Sequence, residues 1–149
     1  MSSALNAVID ATVLVSAFLT SGGVSATLLR HARAGVFVVS LSEEVLTETV
    51  HTLAYPRIRT RYEYTDEDVA DFFDRLRVAA RLVTDVPALT GIVRDPNDDV
   101  VIATAVHAQA THIVTRDDDL LALQQYQSIT ITTPEAFMAL LRAQGLVSS

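Results

Sequence analysis

Short runs with the composition of buried strands alternate along this chain with stretches that have helical patterns. The predicted strands are Leu5–Ile9, Val36–Val39, Leu82-Val83, His112–Thr115 and Ile129–Ile131. The predicted helices are Thr12–Leu19, Ala26–Ala34, Glu43–Leu53, the amphipathic stretch that Thr65 caps, Val100–Ala108, Leu120–Leu123 and a last one opened by Thr133-Pro134-Glu135. This alternation predicts an α/β fold with a parallel sheet of four to five strands, flanked by helices on both faces.

Glycines, prolines and polar residues mark the boundaries between these elements. Gly22-Gly23 breaks the first helix, Gly35 ends the second, and Pro56 stops the third. The segment Arg57–Tyr64 that follows is polar and basic, and we assign it no helix or strand. We predict one domain over residues 1–149, with a core of about 5–142 and a flexible tail over 143–149.

Composition narrows the class of protein. Half of the 149 residues are apolar and the net charge is −7, which argues against a disordered chain and against a basic face that coats nucleic acid. Cysteine is absent, so disulfides, thiolate zinc sites and cysteine nucleophiles are excluded. All eleven basic residues are arginine, so no mechanism can use a lysine. Because no apolar run is long enough for a membrane span and Met1-Ser2-Ser3 does not resemble a signal peptide, we expect a cytoplasmic protein.

Four carboxylates lie at the predicted ends of strands or on the predicted helices next to them. Asp10 follows the first strand, Asp117 follows the fourth, Asp99 closes the acidic run Asp95–Asp99, and Glu48 lies at the edge of the buried stripe of its helix. Ligands of open α/β sheets bind outside the carboxyl ends of the strands. Acidic groups gathered there need a counter-charge, and oxygen ligands favour Mg²⁺ or Mn²⁺ acting on phosphate esters.

Each carboxylate also has a simpler interpretation. Asp10 can serve only as a helix cap, Glu48 can be a solvated helix residue, and the run Asp117–Asp119 can be a solvated loop. One of Asp98 and Asp99 is expected to cap the helix that follows, which leaves the other as a ligand, with Asp95-Pro96-Asn97 as a turn. The four histidines have no metal-ligand spacing.

The chain resembles a PIN domain, close to the branch of VapC-like toxins from bacterial toxin–antitoxin pairs. The resemblance covers about Asn6 to Leu141 and rests on four stretches in order: Val8–Ala17; Ser42–Glu48 with Leu53 and Pro56; Arg94–Ala103; and Ile113–Leu121. It implies a Rossmann-like parallel sheet and an endoribonuclease that uses one or two Mg²⁺ or Mn²⁺ ions. The implied partners are an RNA substrate and a cognate antitoxin protein, and the resting state is a homodimer or a complex with the antitoxin. Apolar residues on Val13–Leu19 and Phe137–Leu141 are the expected contact surface.

The resemblance also implies roles for individual residues. Its acidic site maps onto Asp10, Glu48, Asp99 and Asp117, with Asp119 as a further ligand and Thr115 orienting the last carboxylate. The arginines that are candidates to hold the RNA backbone are Arg57, Arg59, Arg61 and Arg116. The family's first motif usually reads Asp-Thr-Asn, whereas this chain has Asp10-Ala11-Thr12, so Thr12 offers a hydroxyl in place of the supporting amide.

Two other functions remain open at this point. The change in the first motif is the sequence support for a catalytically weak PIN module that binds RNA or a protein partner. A phosphoacceptor receiver domain is also a βα chain with acids at strand ends, but such domains use a lysine that this chain does not have.

Overall fold

A computed structural model describes residues 5–148 of the chain, with strands and helices in alternation. The strands are β1 (Asn6–Ile9), β2 (Val38–Ser42), β3 (Arg81–Val83), β4 (His112–Val114), β5 (Gln125–Tyr126) and β6 (Ile129–Thr132). The helices are α1 (Ala11–Leu19), α2 (Val24–Arg33), α3 (Glu43–Leu53), α4 (Pro56–Tyr62), α5 (Asp66–Ala79), α6 (Pro96–Ala108), α7 (Asp118–Leu123) and α8 (Pro134–Ala143). Met1-Ser2-Ser3, which we interpret as unlike a signal peptide, and Ser149, the last residue of the predicted tail, lie outside the described residues.

The strands form one sheet in the order β3-β2-β1-β4-β6-β5. Five neighbouring strands are parallel, and only β5 runs antiparallel, against β6. The predicted α/β class and the predicted parallel sheet are therefore confirmed. The sixth strand was not predicted because Gln125-Tyr126 is only two residues long and follows directly on the polar Gln124.

Helices cover both faces of the sheet, as predicted. Asn6 and Ser42 point to the face under α6, since their side chains hydrogen-bond to the Ala108 carbonyl and to Thr104. On the opposite face the ring of His112 packs edge-on against Phe137 of α8. Helix α6 has small buried side chains, which allow it to lie close to the strands.

The strand order reverses between β1 and β4. From β1 the chain moves outward to β2 and β3, then returns to the other side of β1 to form β4. Val8 pairs with Ile113, and the Asp10 amide donates to the Val114 carbonyl, so both strands end at the same level. Connections that leave a parallel sheet in opposite directions open a crevice at such a reversal, and this crevice is where ligands bind in doubly wound folds.

The second strand runs over Val38–Ser42, two residues later than the predicted start, and two further segments differ more strongly from the prediction. The polar segment after Tyr55 contains helix α4, because Pro56 is at its first helical position, where a missing amide hydrogen costs nothing. Helix α6 begins at Pro96, four residues before the predicted start, with Asp95 as the capping residue. Asp95-Pro96-Asn97 is therefore a helix start and neither Asp98 nor Asp99 is the cap.

The helices expected to offer apolar surface bury much of it and leave Val15, Phe18, Leu19 and Leu140 half-buried. Val13, Leu14 and Ala17 of α1 and Phe137 and Leu141 of α8 belong to the hydrophobic core. The large apolar side chains that are exposed lie elsewhere: Val50, Tyr55, Tyr62, Val78, Leu82 and Leu146. The homodimer and its contact surface stay predictions.

Helix length and hydropathy bear on membrane association. No single helix in residues 5–148 is long and apolar enough to cross a membrane; α1 and α2 reach that length and hydropathy only together, across a bend of 99°.

After α8, Gly145 takes a positive φ of 71° and the Leu146 amide donates to the Leu141 carbonyl, which closes the helix. The domain boundaries and the flexibility of the tail stay predictions.

Candidate metal centre

Asp10 lies buried at the strand-order reversal, between the end of β1 and the start of α1. Its Oδ1 accepts the Val13 amide at 3.3 Å and the Thr12 hydroxyl, and its Oδ2 accepts the Thr115 hydroxyl. A carboxylate has about four acceptor positions, so one position on Oδ2 is left over. Burial raises the pKa of Asp10 above its ordinary 3.8, and the hydrogen bonds from Thr115 and Thr12 oppose that rise.

Two threonine hydroxyls connect Asp10 to the segment that follows β4. Thr115 donates to Asp10 and its Oγ1 accepts the Asp117 amide at 2.9 Å. Thr12 donates to the other oxygen of Asp10 and accepts the Arg116 amide at 3.1 Å. The hydroxyl at position 12 thus contacts the carboxylate directly, and the two bridges fix Asp10 relative to Asp117.

Three further carboxylates form a compact group beside this bridge. One oxygen from each of Asp98, Asp117 and Asp119 lies within 4.8 Å of the other two. Asp117 caps α7 through Oδ2, which accepts the Leu120 amide at 2.9 Å, so its other oxygen is not used by that cap. We call Asp98, Asp117 and Asp119 the acid cluster.

Asp98 is the member of the acid cluster with the most unusual environment. Its side chain is buried, and Oδ2 has no hydrogen-bond partner among the described residues. Burial, then a hydrogen bond with Asp117 that forms when one of the two carboxyl groups holds a proton, and then the charges of Asp117, Asp95 and Asp10 raise the pKa of Asp98 from 3.8 to about 7. A buried carboxylate oxygen without a donor is costly unless a cation or a proton satisfies it. This orphaned oxygen fits a divalent cation held by oxygen ligands.

The structure does not bring Asp99 into the acid cluster. Its carboxylate is also buried, but Oδ1 accepts the amides of Ile92 at 3.2 Å and Val93 at 2.7 Å and so holds the loop before α6. Because α6 begins at Pro96, Asp98 and Asp99 both lie in its first turn, and their side chains point about 100° apart around the helix axis. The sequence left open which of Asp98 and Asp99 caps the helix and favoured Asp99 as the ligand, whereas the structure places Asp98 in the acid cluster, and the helix start at Pro96 is the signal that would have pointed to it. The role of either residue as a metal ligand stays a prediction.

Glu48 reaches the same crevice from α3. Burial raises the pKa of Glu48 above its ordinary 4.5, and the carboxylates of Asp10, Asp95 and Asp117 add to that rise. Glu48 also lines a groove of about 460 Å³ between α3 and the first turn of α6, together with His51 and Asn97. Four of the five predicted acids, all but Asp99, therefore contribute to one negative crevice: Asp10, Glu48, Asp117 and Asp119.

The predicted RNA-binding arginines differ in how much of their charge is available. Arg59 forms an ion pair with Asp66, and Arg116 binds both oxygens of Glu135 at 3.1 and 2.8 Å. Arg57 is exposed, and Arg61 lies over the Tyr62 ring at 5.7 Å. Neither Arg57 nor Arg61 has an acidic partner among residues 5–148. Their role in RNA binding stays a prediction.

Comparison with known families agrees with this geometry. The sequence profile of the PIN domain matches residues 6–119, which is well over half of the chain. The chain belongs to the PIN domain family. No curated protein sequence matches it. The matched region of the PIN domain ends at Asp119, so it includes Asp10, Glu48 and the whole acid cluster and stops before β5.

Membership in the family supports a coarse function. The PIN fold is generally that of nucleases, and PIN domains typically bind divalent metal ions. The acid cluster and the orphaned oxygen of Asp98 are consistent with such a site in this PIN domain.

Proposed function

We propose that this PIN domain is a metal-dependent endoribonuclease that hydrolyses RNA phosphodiester bonds with one or two Mg²⁺ or Mn²⁺ ions. The observation that carries the proposal is the buried, unpartnered Oδ2 of Asp98, next to Asp117 and Asp119 at the strand-order reversal. If Asp98 served only as a helix cap, its Oδ2 would accept a hydrogen bond or be exposed to solvent. Asp95 is an example, because its Oδ1 accepts the Asn97 amide.

The candidate ligands are Asp98, Asp117 and Asp119, with Asp10 as a fourth through its remaining acceptor position. Asp98 replaces Asp99 in this set because Oδ2 of Asp98 is buried without a donor, whereas Oδ1 of Asp99 accepts two loop amides and holds the loop before α6. When bound, a divalent cation acidifies water and offsets the charge of the attacked phosphate.

The residues of the chain supply orientation and proton handling. Thr12 and Thr115 hold Asp10 in one orientation by donating to both of its oxygens. Glu48 faces the crevice from α3, and burial raises its pKa, which makes its carboxylate a stronger base than an exposed glutamate and a candidate to accept a proton from water. Glu48 comes from α3, whereas Asp117 and Asp119 come from the start of α7, so we expect substrate to enter between these two helices.

The charge of the protein fits this mode of binding. At a net charge of −7, phosphate is repelled until a cation neutralises the crevice. A few arginines then suffice to hold the backbone, with Arg57 and Arg61 as the ones whose charge is not paired. The binding of RNA to such a site should depend on metal more strongly than on ionic strength.

The cellular role that we propose is the toxin of a toxin–antitoxin pair, acting in the cytoplasm as a homodimer or bound to its antitoxin. Its support is the resemblance of the four motifs to that branch of the PIN family. Sedimentation at micromolar concentration tests the homodimer; a compact monomer would contradict it. Induced expression followed by sequencing of RNA ends tests the toxin, which should leave cleaved RNA and arrested growth.

The biochemical test uses purified protein and an end-labelled single-stranded RNA. Cleavage should require Mg²⁺ or Mn²⁺, stop in a chelator, and be lost in Asp98→Asn and Asp117→Asn. Asp74→Asn is the matched control, because Asp74 is an exposed acid on α5. Metal-independent RNA binding without cleavage, unchanged in Asp98→Asn, would favour the catalytically weak binding module instead.

A further inference from the structure

Arg94 forms an ion pair with one member of the acid cluster and has no role in the proposed mechanism. Its Nη2 donates to both carboxylate oxygens of Asp119, at 3.2 and 3.0 Å. Of the ion pairs within residues 5–148, this is the one that includes a member of the acid cluster. A cation from the protein itself therefore contacts a candidate metal ligand.

The backbone on either side of Arg94 is fixed. The Asp99 carboxylate holds the amides of Ile92 and Val93, and Asp95 caps α6 immediately after Arg94. The Arg94 side chain, in contrast, is 85% exposed and uses only one of its nitrogens in the ion pair. A guanidinium carries five N–H donors, so the others remain free for a second acceptor.

The ion pair competes with a divalent cation for the same carboxylate. Arg94 supplies Asp119 with a positive partner, whereas a cation bound by the acid cluster would share the charge of Asp119 and weaken its attraction for the guanidinium. A phosphate that approaches that cation meets the guanidinium at the mouth of the crevice. Arginine binds phosphate with paired, charge-assisted hydrogen bonds.

We propose that Arg94 is a substrate-binding residue that exchanges Asp119 for an RNA phosphate once a divalent cation occupies the acid cluster. This inference rests on the proposed ribonuclease function and deepens it, since it assigns a phosphate contact that sequence reasoning did not identify. Asp99 then acts as a positioning residue, because its carboxylate fixes the two residues before Arg94.

The exchange has two consequences of opposite sign. Removal of the guanidinium frees Asp119 and should leave Mn²⁺ affinity equal to or higher than that of the parent. The same removal leaves one RNA phosphate without its arginine, so RNA affinity should fall by about tenfold. For single-stranded RNA, the slope of log affinity against log salt should also become shallower by about 0.7. A purely structural role of Arg94 would instead predict that both kinds of binding weaken together.

The test uses a Glu48→Gln parent to suppress cleavage, and compares it with Arg94→Gln, Arg94→Lys and Arg77→Gln made in that parent. Arg77 is the matched control, because it forms an exposed bidentate pair with Glu43 outside the acid cluster. Calorimetric titration with Mn²⁺ measures metal affinity without RNA. Fluorescence anisotropy with a labelled single-stranded RNA at saturating Mn²⁺ then measures RNA affinity over a range of salt.

The expected pattern is weaker RNA binding and undiminished Mn²⁺ binding in Arg94→Gln, an intermediate effect in Arg94→Lys, and no change in Arg77→Gln. Joint loss of Mn²⁺ and RNA binding, or no change in either, would overturn the inference. If the wild type cleaves RNA but Arg94→Gln binds it as tightly as the parent does, only this inference fails. If the parent binds no RNA and the wild type cleaves none, the proposed function fails with it.

Discussion

Replacement of Asp98 and Asp99 by asparagine, one at a time, separates a ligand from a structural residue at adjacent positions. Asp98 is buried without a partner for Oδ2, whereas Asp99 is buried with two amide donors on Oδ1. In the metal-free protein we expect Asp98→Asn to raise the free energy of unfolding and Asp99→Asn to lower it. With Mn²⁺, we expect Asp98→Asn to lose metal binding and Asp99→Asn to retain it.

The magnitude for Asp98 follows from its pKa. A rise from 3.8 to about 7, at about 1.36 kcal/mol per pH unit, corresponds to about 4 kcal/mol as the upper limit above pH 7. Solution cations and movement of neighbouring side chains screen part of this repulsion, so we expect about 2 kcal/mol. For Asp99→Asn, weaker hydrogen bonds to two amides should cost about 1–3 kcal/mol.

The sign of the pH dependence gives a second check on Asp98. Its pKa is higher in the folded than in the unfolded protein, so the folded protein binds the proton more tightly. The contribution of Asp98 to wild-type stability therefore falls as pH rises from about 4 to about 7. The advantage of Asp98→Asn should be small at about pH 4 and fully developed above about pH 7.

Urea denaturation in a chelator at several pH values measures both effects, with calorimetric titration of Mn²⁺ as the second readout. The exposed Asp74→Asn variant controls for the change in net charge. If Asp98→Asn is destabilised at every pH while Asp99→Asn is not, the assignment of the two residues is reversed and Asp99 is the ligand, as the sequence predicted. Equal Mn²⁺ affinity in wild type and Asp98→Asn would remove Asp98 from the site.

Three further predictions address the pH profile, the hydroxyl bridge and the arginines. Mn²⁺ affinity of the wild type should rise as pH passes through about 7, because Asp98 must lose its proton to bind metal; a flat calorimetric profile from acid to neutral pH would contradict this. Thr115→Val should lower stability in urea by about 1–3 kcal/mol, since Asp10 loses a donor and the Asp117 amide loses an acceptor, and Thr115→Ser should restore most of it; equal stability of the valine and serine variants would show that the bridge is unimportant. The double variant Arg57→Gln/Arg61→Gln should weaken RNA binding and reduce the salt slope by about 1.4, or about 0.7 for each phosphate that an arginine no longer neutralises; an unchanged slope in filter binding would exclude both residues from the interface.

The sequence by itself determined the order of most elements, without α4 and β5, and the edge of the sheet at which Asp10 and Asp117 lie. Alternating buried strands and helices can satisfy their apolar faces only by packing in layers, which specifies the parallel sheet. In a parallel sheet the strands share a direction, so Asp10 and Asp117, each directly after a strand, lie at the same edge without further information. The edge strand β5 was beyond this reasoning because two residues, one polar and one aromatic, are too few to carry a periodic pattern.

Only the tertiary structure decided which residues complete the site. Asp98 and Asp99 are the same residue type at adjacent positions, and the start of α6 at Pro96 determines which of the two side chains faces Asp117. Desolvation, which raises the pKa of Asp98, depends on packing around it and has no sequence pattern. The contacts that join the site span 105 residues from Asp10 to Thr115 and 25 from Arg94 to Asp119. Local periodicity cannot encode such pairs, because they form only when separate elements are brought together by the core.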